Sequence, residues 1–404
     1  MPLQAHFFFD VDGMRQKYTL FYVFALLLLI FFWRTVVFWF NNGNGPEANA
    51  GVVLYIALLG IELISFFLIL AFPKKGRKNS SIHRVCFFWE CAILIALSYN
   101  NASISQYVKC LAWPLFFESA YLFVRSDYSF LDRFRRMFFL FVLFGVVVFF
   151  RAMVIRDFGG QSNMIYFLVL PVPVILLTKN VRWRNIILIL VTFFAVLSMK
   201  RSMILALALF WAIICCKFFL SSAKKGLAIA LSFLVILAAF GTFRIVNNVT
   251  GGRLSSRLDS DTDDVTNGRE AIYLVTWDMI VKSSPAHLVL GHGQNAVRAD
   301  SILEVSAHNE FLEILYDYGL IALLVYFFFW GHLIKQWFFH YRYNTAYFIP
   351  YTLSICVFSV MALVSQLVLY VSYFLYLVMF WGMVEAATEI KECEIITSPQ
   401  NEKI

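Results

Sequence analysis

Long runs of apolar residues, separated by short polar connections, dominate this sequence from Lys17 to Glu385. In lipid the backbone polar groups of such runs must be satisfied internally, which leaves only helices or closed barrels. Barrel strands alternate apolar with polar residues, whereas these runs are apolar on every side, so the pattern predicts helices. A helical span needs roughly 20 residues. We expect twelve spans, near residues 18–39, 51–72, 85–99, 105–124, 137–155, 163–178, 185–199, 201–217, 226–244, 308–330, 348–366 and 369–386.

The composition excludes a soluble globular domain. Of the 404 residues, 61% are hydrophobic and only 14% are charged, and the mean hydropathy is +0.75. Soluble chains are about half apolar and about a quarter charged. The 45 phenylalanines and 10 tryptophans indicate lipid contact. We therefore predict an all-α integral membrane protein, a polytopic bundle with one large periplasmic loop and no nucleic-acid partner.

Lysine and arginine concentrate on alternate connections between the predicted spans. The connections 73–84 and 125–136 each carry several cations, whereas 41–50 carries none. Because cytoplasmic loops hold the excess of Lys and Arg, both termini are expected in the cytoplasm. The first apolar run shows no cleavage signal and is expected to stay as an anchor.

This organisation divides the chain into four parts. The first nine spans fall within 1–246, a periplasmic catalytic loop covers 247–307, and the last three spans lie in 308–386. The polar residues 387–404 are expected to form a short disordered cytoplasmic tail. The loop contains no cysteine, so no disulfide is predicted there.

Several cations break the charge rule, because they lie in the outer halves of predicted spans or at their outer ends. A charge inside a span costs several kcal/mol unless it lines a wet cavity or meets a partner. Snorkelling to the outer headgroups is the alternative, and it suits Arg34 best. So many cations on one side predict an anion, for which a lipid-linked phosphate or diphosphate is the membrane-compatible candidate. The residues are Arg34, Lys109, Arg151, Arg156, Lys200, Arg201 and Arg244.

Two metal sites are conceivable in the external segment, and both fit poorly. The acidic run Asp259–Asp264 places carboxylates at calcium-loop spacing, but the required glycine is absent and no helix precedes the run. His287, His292 and His308 could bind zinc, yet their spacing matches no known motif. We therefore predict no metal and no cofactor. A solvated acidic loop is the simpler interpretation of the run.

His308 is the strongest catalytic candidate. An imidazole titrates near neutral pH and can accept a proton from a sugar hydroxyl, and His308 lies at the outer mouth of a predicted span. Glu310 or Glu313 could orient the ring, although acidic residues also suit the first turn of a helix. Arg201 and Arg269 are the candidates to bind a diphosphate, because guanidinium is always charged and has a planar fork. A histidine that simply starts a helix and bonds to headgroups or backbone is the alternative for His308.

Three segments resemble the bacterial O-antigen ligase/polymerase superfamily of inner-membrane glycosyltransferases. Residues 198–202 (SMKRS) resemble an outer helix-end element, and 266–269 (TNGR) followed by Trp277 and 290–293 (LGHG) resembles the SGR…W…GxG element. The block beginning at Ala307 (AHNEFLEILYDYGLI) resembles HNxxLxxLxxxGLIG most closely. The sequence departs from the pattern at Asn267, where serine is usual, and at Ala322, which replaces the last glycine.

The resemblance implies that Arg201 and Arg269 contact the diphosphate and that His308 activates the acceptor hydroxyl. It further implies a metal-independent, inverting transfer from an undecaprenyl-diphosphate-linked glycan. Lys200, Glu310, Arg244 and Arg34 are expected to contribute to substrate binding, with Lys200 as a second phosphate contact.

Two reactions within this superfamily remain open, together with one function of another class. A polymerase would extend O-antigen, capsule or exopolysaccharide repeats on an acceptor lipid-linked repeat, with a chain-length regulator as a further candidate partner. A ligase would transfer the finished polymer to lipid A-core. The W…GHG spacing favours the polymerase. A flippase for lipid-linked oligosaccharides would more often show two similar halves and charges near the midplane, which this sequence lacks.

Overall fold

A computed structural model describes residues 3–42, 52–71, 81–155, 162–198, 200–221, 241, 244, 247–248, 251–252 and 268–397. Within these residues every regular element is helical. The longer helices are α1 (Leu3–Asn42), α2 (Val52–Ala71), α3 (Ser81–Tyr99), α4 (Ile104–Ser126), α5 (Ser129–Ile155), α8 (Val181–Leu197), α9 (Arg201–Ser221), α10 (Arg269–Lys282), α13 (Glu310–Arg342), α14 (Phe348–Val364) and α15 (Val371–Thr397). The shorter ones are a 3-10 turn (Ser162–Ile165), α6 (Tyr166–Val169), α7 (Val172–Ile175), α11 (Pro285–Leu290) and α12 (Ala296–Asp300).

Six of the described helices are long and apolar enough to cross a membrane. They lie in α1, α2, α3, α9, α13 and α15, and two shorter apolar stretches cover Asn163–Ile175 and Phe348–Val364. Ten of the twelve predicted spans coincide with described helices. The predicted span 226–244 falls almost wholly outside the described residues, as does the acidic run 259–264. A helical membrane protein is therefore supported, while the count of twelve spans, its orientation and the periplasmic assignment of the loop stay predictions.

The predicted span 163–178 is not one continuous helix. It consists of the 3-10 turn, α6 and α7, with a break at Pro171 and a second proline at Pro173. Proline has no backbone N–H and its ring clashes with the preceding turn, so it interrupts an α-helix. The whole segment from Met164 to Ile175 is nevertheless buried, including Pro171 and Pro173, so the break lies inside the bundle.

The chain end corrects another expectation. Residues from 387 onward were predicted to be a disordered tail, but α15 continues to Thr397. The Tyr121 hydroxyl donates to Glu389 Oε2 at 2.7 Å, and Arg125 lies 3.7 Å from the same oxygen. Glu389, which follows the apolar run, therefore has partners on α4.

Helix α15 lies at the centre of the bundle. Its apolar stretch Val371–Ile390 is 94% buried, whereas only 39% of the corresponding stretch of α2 is buried. It packs along α4, and aromatic side chains fill the surrounding core: Trp113, for example, contacts Phe374 with ring centroids 5.7 Å apart. The helices that surround α15 expose large apolar side chains on their outer faces, as expected of a bundle that spans a membrane.

The segment between α9 and α13 has a small core of its own. Ile280, Ala296, Val297, Ala307 and Tyr316 form a buried cluster against which Met279 and Leu312 pack. The sequence of α10 predicts a loosely amphipathic helix, a candidate to lie on the membrane surface, with Ile272, Val275, Met279 and Ile280 as apolar residues and Trp277 nearly opposite. In the structure Ile280 faces inward, while Trp277 is 54% exposed together with Leu274 and Val281. The cluster holds this segment against the first turns of α13, where His308 lies.

Candidate functional site

A break in α13 at Gly319 shapes the floor of the candidate site. Gly319 has φ 81° and ψ −179°, a conformation that is essentially restricted to glycine, and the helix changes direction there. The carbonyl groups before the break are free to bond elsewhere. Tyr316 O accepts from the His292 backbone N–H at 2.9 Å, and Asp317 O accepts from that of Gly293 at 2.8 Å. The GHG turn at 291–293 is thus hydrogen-bonded to the broken helix.

The contact at this crossing leaves no room for side chains. A Cβ on Gly319 would come within 2.2 Å of the Val289 carbonyl oxygen, and one on Gly291 would come equally close to that of Asp317. Both residues have positive φ, Gly291 at 76°. These glycines occupy the first glycine of GHG and the glycine of the HNxxLxxLxxxG pattern, so the motif has a structural cause here.

Three buried carboxylates on the first turns of α13 bind backbone N–H groups of neighbouring loops. Glu310 accepts from Val368 N and from the Tyr326 hydroxyl, the latter at 2.6 Å. Glu313 accepts from Ala307 N at 2.6 Å. Asp317 accepts from Asn295 N at 2.7 Å and from Val297 N at 3.1 Å. Each carboxylate therefore fixes one loop around the start of α13. Together these hydrogen bonds stabilise the backbone around His308.

His308 lies two residues before α13 in a left-handed conformation, with φ 50°. Asn309 caps the helix, because its side-chain oxygen accepts from the N–H groups of Phe311 and Leu312 at 3.1 and 3.2 Å. The Tyr273 hydroxyl, from α10, lies 3.2 Å from the His308 carbonyl oxygen and 2.9 Å from that of Leu363. The backbone of His308 is thus fixed on both sides, by the helix cap and by α10.

The surroundings of the His308 imidazole keep it neutral. Burial is the main cause that lowers the pKa of His308 below its ordinary value of 6.5, and the positive charges of Arg269 and Lys200 lower it further. A neutral imidazole is the form that accepts a proton. Positive charges from two other segments, at Lys200 and Arg269, therefore act on His308. The catalytic roles predicted for His308, Arg201 and Arg269 stay predictions.

Arg269 and Lys200 each lie at the start of a helix. Arg269 is the first residue of α10, directly after Gly268, which has a left-handed φ of 76°. Lys200 directly precedes α9, and its ammonium lies 5.5 Å from the ring centroid of Tyr166. The Tyr166 hydroxyl lies 3.2 Å from that of Ser202 in the first turn of α9. Lys200 thus lies beside the pair of hydroxyl groups of Tyr166 and Ser202.

Arg201 is exposed at the start of α9, between Lys200 and the buried Ser202. The charge that acts on His308 from this segment comes from Lys200. With the other described residues, neither Arg201 nor Arg269 forms a salt bridge or a side-chain hydrogen bond. Binding of a diphosphate by these two guanidinium groups stays a prediction.

The remaining predicted binding residues lie elsewhere. Glu310 is fully buried and its two carboxylate oxygens bond to protein groups, an arrangement that favours a structural role. Arg34 is half-buried in α1 with its Nε atom buried and without a partner among the described residues. Arg244 is exposed in a stretch of which only single residues are described. Contacts of these three with a substrate stay predictions.

The histidines considered for zinc do not converge. His287 and His292 stack on each other with ring centroids 4.5 Å apart, and His292 stacks on Tyr316 at 4.1 Å. His308 belongs instead to the group with Arg269 and Lys200. Over the described parts of the chain, no three His, Cys, Asp or Glu side chains are grouped as metal ligands would be.

Sequence reasoning missed two structural contributors to the site. Tyr273 was only one residue of a surface helix, yet its hydroxyl bonds to the His308 carbonyl. Asp317 stood inside the motif block without a role, yet it binds the loop that follows GHG. An acidic residue two positions before the motif glycine, on an otherwise apolar helix, was the available signal for Asp317.

Comparison with known families agrees with this geometry. The model of the family described as O-antigen ligase matches residues 186–327, a region that includes Lys200, Arg201, Arg269 and His308. Comparisons with curated proteins and with solved structures give no significant match. Residues 186–327 thus carry a domain of the O-antigen ligase family, which confirms the resemblance to the O-antigen ligase/polymerase superfamily.

Proposed function

We propose that this protein is an inner-membrane glycosyltransferase that polymerises oligosaccharide repeats carried on undecaprenyl diphosphate, at the periplasmic face. The observation that carries the proposal is that the positive charges of Arg269 and Lys200, from two other segments of the region that the family model matches, act on the half-buried His308. A neutral base beside permanent cations is what transfer of a sugar from a diphosphate requires.

In the proposed reaction His308 accepts the proton of an acceptor sugar hydroxyl. The hydroxyl oxygen then forms a bond to the anomeric carbon of the donor glycan, from the face opposite the diphosphate. The bond between that carbon and the diphosphate oxygen breaks, and the electron pair leaves with undecaprenyl diphosphate. Configuration at the carbon inverts, because one displacement occurs.

The cations have a defined part in this scheme. Negative charge grows on the bridging oxygen as the glycosyl bond breaks, and Arg201 and Arg269 bind the diphosphate where that charge develops. Lys200 supplies a further phosphate contact. Positive charge also favours the neutral form of His308, so the same groups serve the base and the leaving group.

Ligation to lipid A-core is the second candidate, because the matching family is described as O-antigen ligase. The chemistry at the donor is the same in both reactions, and only the acceptor differs. The W…GHG spacing favours the polymerase.

A surface-polysaccharide gel of a deletion strain, with lipid-linked intermediates extracted in parallel, tests the proposal. Core that bears a single repeat, or short lipid-linked units alone, is the result expected for the polymerase. Bare core with long polymer still on its lipid diphosphate would identify the ligase. Repeats trapped on the cytoplasmic face would identify a transporter and overturn the proposed chemistry.

A further inference from the structure

An open cavity of ≈ 410 Å³ lies at the end of the bundle opposite His308. Helix α9 runs from Arg201, beside the candidate site, to Lys217 in the cavity wall, a distance of about 24 Å at the rise of an α-helix. Helix α13 likewise begins beside His308 and ends next to the cavity, at Arg342. The cavity is lined by Arg184, Ile214, Lys217, Phe218, Asn344, Thr345, Ala346, Phe348 and Ile349.

Two cations line this cavity, and none of its described lining residues is acidic. Lys217 Nζ donates to Tyr341 O at 3.2 Å and to Asn344 Oδ1 at 3.0 Å, and it lies 3.5 Å from the ring centroid of Phe348. These contacts hold the ammonium in one place at the wall. A positive charge that is fixed in advance loses little freedom when it binds an anion.

Arg184 provides the second cation, in the first turn of α8. Its Nε atom is buried and has no hydrogen-bond partner among the described residues. A buried donor without a partner destabilises the folded protein, and a bound acceptor would relieve that penalty. The planar guanidinium fork matches two oxygens of a phosphate group.

The other side of the cavity is apolar. Ile214, Phe218, Phe348 and Ile349 line the cavity together with the two cations. Trp183, beside Arg184, is 58% exposed. Tryptophan is enriched where a membrane meets water, and basic pockets between membrane helices bind anionic lipid headgroups. A free anion would have no use for the apolar wall, whereas a lipid places its phosphate on the cations and its chains along that wall.

We propose that this cavity binds the phosphate diester of an anionic phospholipid, in the leaflet opposite the candidate active site. The lipid would join the start of α8 and the end of α9 to the turn between α13 and α14, where Asn344 and Thr345 lie. This site is separate from the proposed glycosyl transfer and does not depend on it.

Binding of short-chain lipids to the purified, delipidated full-length protein tests the proposal. Dioctanoyl phosphatidylglycerol should bind at least about tenfold more tightly than dioctanoyl phosphatidylcholine, and than inorganic phosphate, in microscale thermophoresis. Arg184→Gln and Lys217→Gln should each weaken phosphatidylglycerol binding by about tenfold or more, as expected for one charge-assisted hydrogen bond. Arg182→Gln is the matched control, because Arg182 is an exposed cation two residues before Arg184 and does not line the cavity.

Three results would overturn the proposal. Equal binding of the two lipids would show that the protein does not recognise the charge of the headgroup. Unchanged binding by Arg184→Gln would show that the lipid does not bind in this cavity. Inorganic phosphate that displaces phosphatidylglycerol at equal concentration would make this a site for a soluble anion. Arg184→Lys keeps the charge without the fork; intermediate binding by this variant supports the phosphate contact even where Arg184→Gln does not fold.

Discussion

Replacing Gly319 by alanine should detach the 291–293 turn from α13. The new Cβ would lie 2.2 Å from the Val289 carbonyl oxygen and 2.6 Å from Gly291 N. These are backbone atoms, which cannot move aside as the end of a flexible side chain can. The residue would also have to keep a φ of 81° and a ψ of −179°, which non-glycine residues avoid.

The cost can be worked from these contacts. Holding alanine in this conformation costs about 1–3 kcal/mol. If the turn moves away instead, the two backbone hydrogen bonds from His292 and Gly293 to α13 are lost, at about 0.5–1.5 kcal/mol each. Either outcome, a strained alanine or the loss of these hydrogen bonds, destabilises this region by about 1–3 kcal/mol. We expect a combination of the two, because the clashing atoms of α13 and of the 289–291 segment all belong to the backbone or to the new Cβ.

Thermal unfolding of the full-length protein in detergent measures this effect. A thiol-reactive fluorogenic dye suits the chain, because the buried thiol of Cys110 lies 3.1 Å from the hydroxyl of Tyr318, directly beside Gly319. Gly331→Ala is the matched control: it lies in the same helix, and its Cβ would meet no atom within 4 Å. We expect a lower unfolding temperature for Gly319→Ala and an unchanged or slightly higher one for Gly331→Ala. Equal unfolding temperatures for the two variants would refute the account of this crossing.

Three further predictions concern the site. Because burial and two neighbouring cations lower the pKa of His308 below 6.5, the acidic decline of kcat/KM should have its midpoint below that of an ordinary histidine. Lys200→Gln should move the decline to higher pH, and a pH profile identical to wild type would show that the two charges do not interact. Arg201→Lys keeps the charge but loses the guanidinium fork, so kcat/KM should fall by about tenfold or more; wild-type turnover would exclude a bidentate contact. Asp317→Asn should lower stability by about 1–3 kcal/mol, because one of two charged acceptors for Asn295 N and Val297 N is lost; an unchanged unfolding temperature would contradict this.

Most of the helical layout could be predicted from the sequence, because apolar runs of span length in lipid have few other solutions. The exceptions have local causes. Pro171 and Pro173 break a run that is apolar enough to look like one span. The extension of α15 past the apolar run depends on bonds from Glu389 to a distant helix, which hydropathy does not register.

His308, Arg269 and Lys200 could also be chosen as candidates from the sequence, because charged or titratable residues next to apolar spans are rare and often functional. Their supports could not. Tyr273 acts through its hydroxyl on a backbone carbonyl 35 residues away, and the pattern of α10 does not reveal that partner. Glu310 shows the converse: its position beside His308 favoured an active-site role, whereas the fold buries it against Tyr326 and the backbone near Val368.

The most direct test of the central claim is glycosyl transfer by purified His308→Ala protein in proteoliposomes. The measured quantity is the rate at which a labelled undecaprenyl-diphosphate oligosaccharide is joined to its acceptor. His287→Ala serves as the control, because it removes an imidazole from the same loop outside the group around Arg269. We predict that His308→Ala loses about 10²–10⁴-fold of the wild-type rate, as expected for a positioned base, while His287→Ala retains most of it. Transfer by His308→Ala at the wild-type rate would contradict the proposed mechanism.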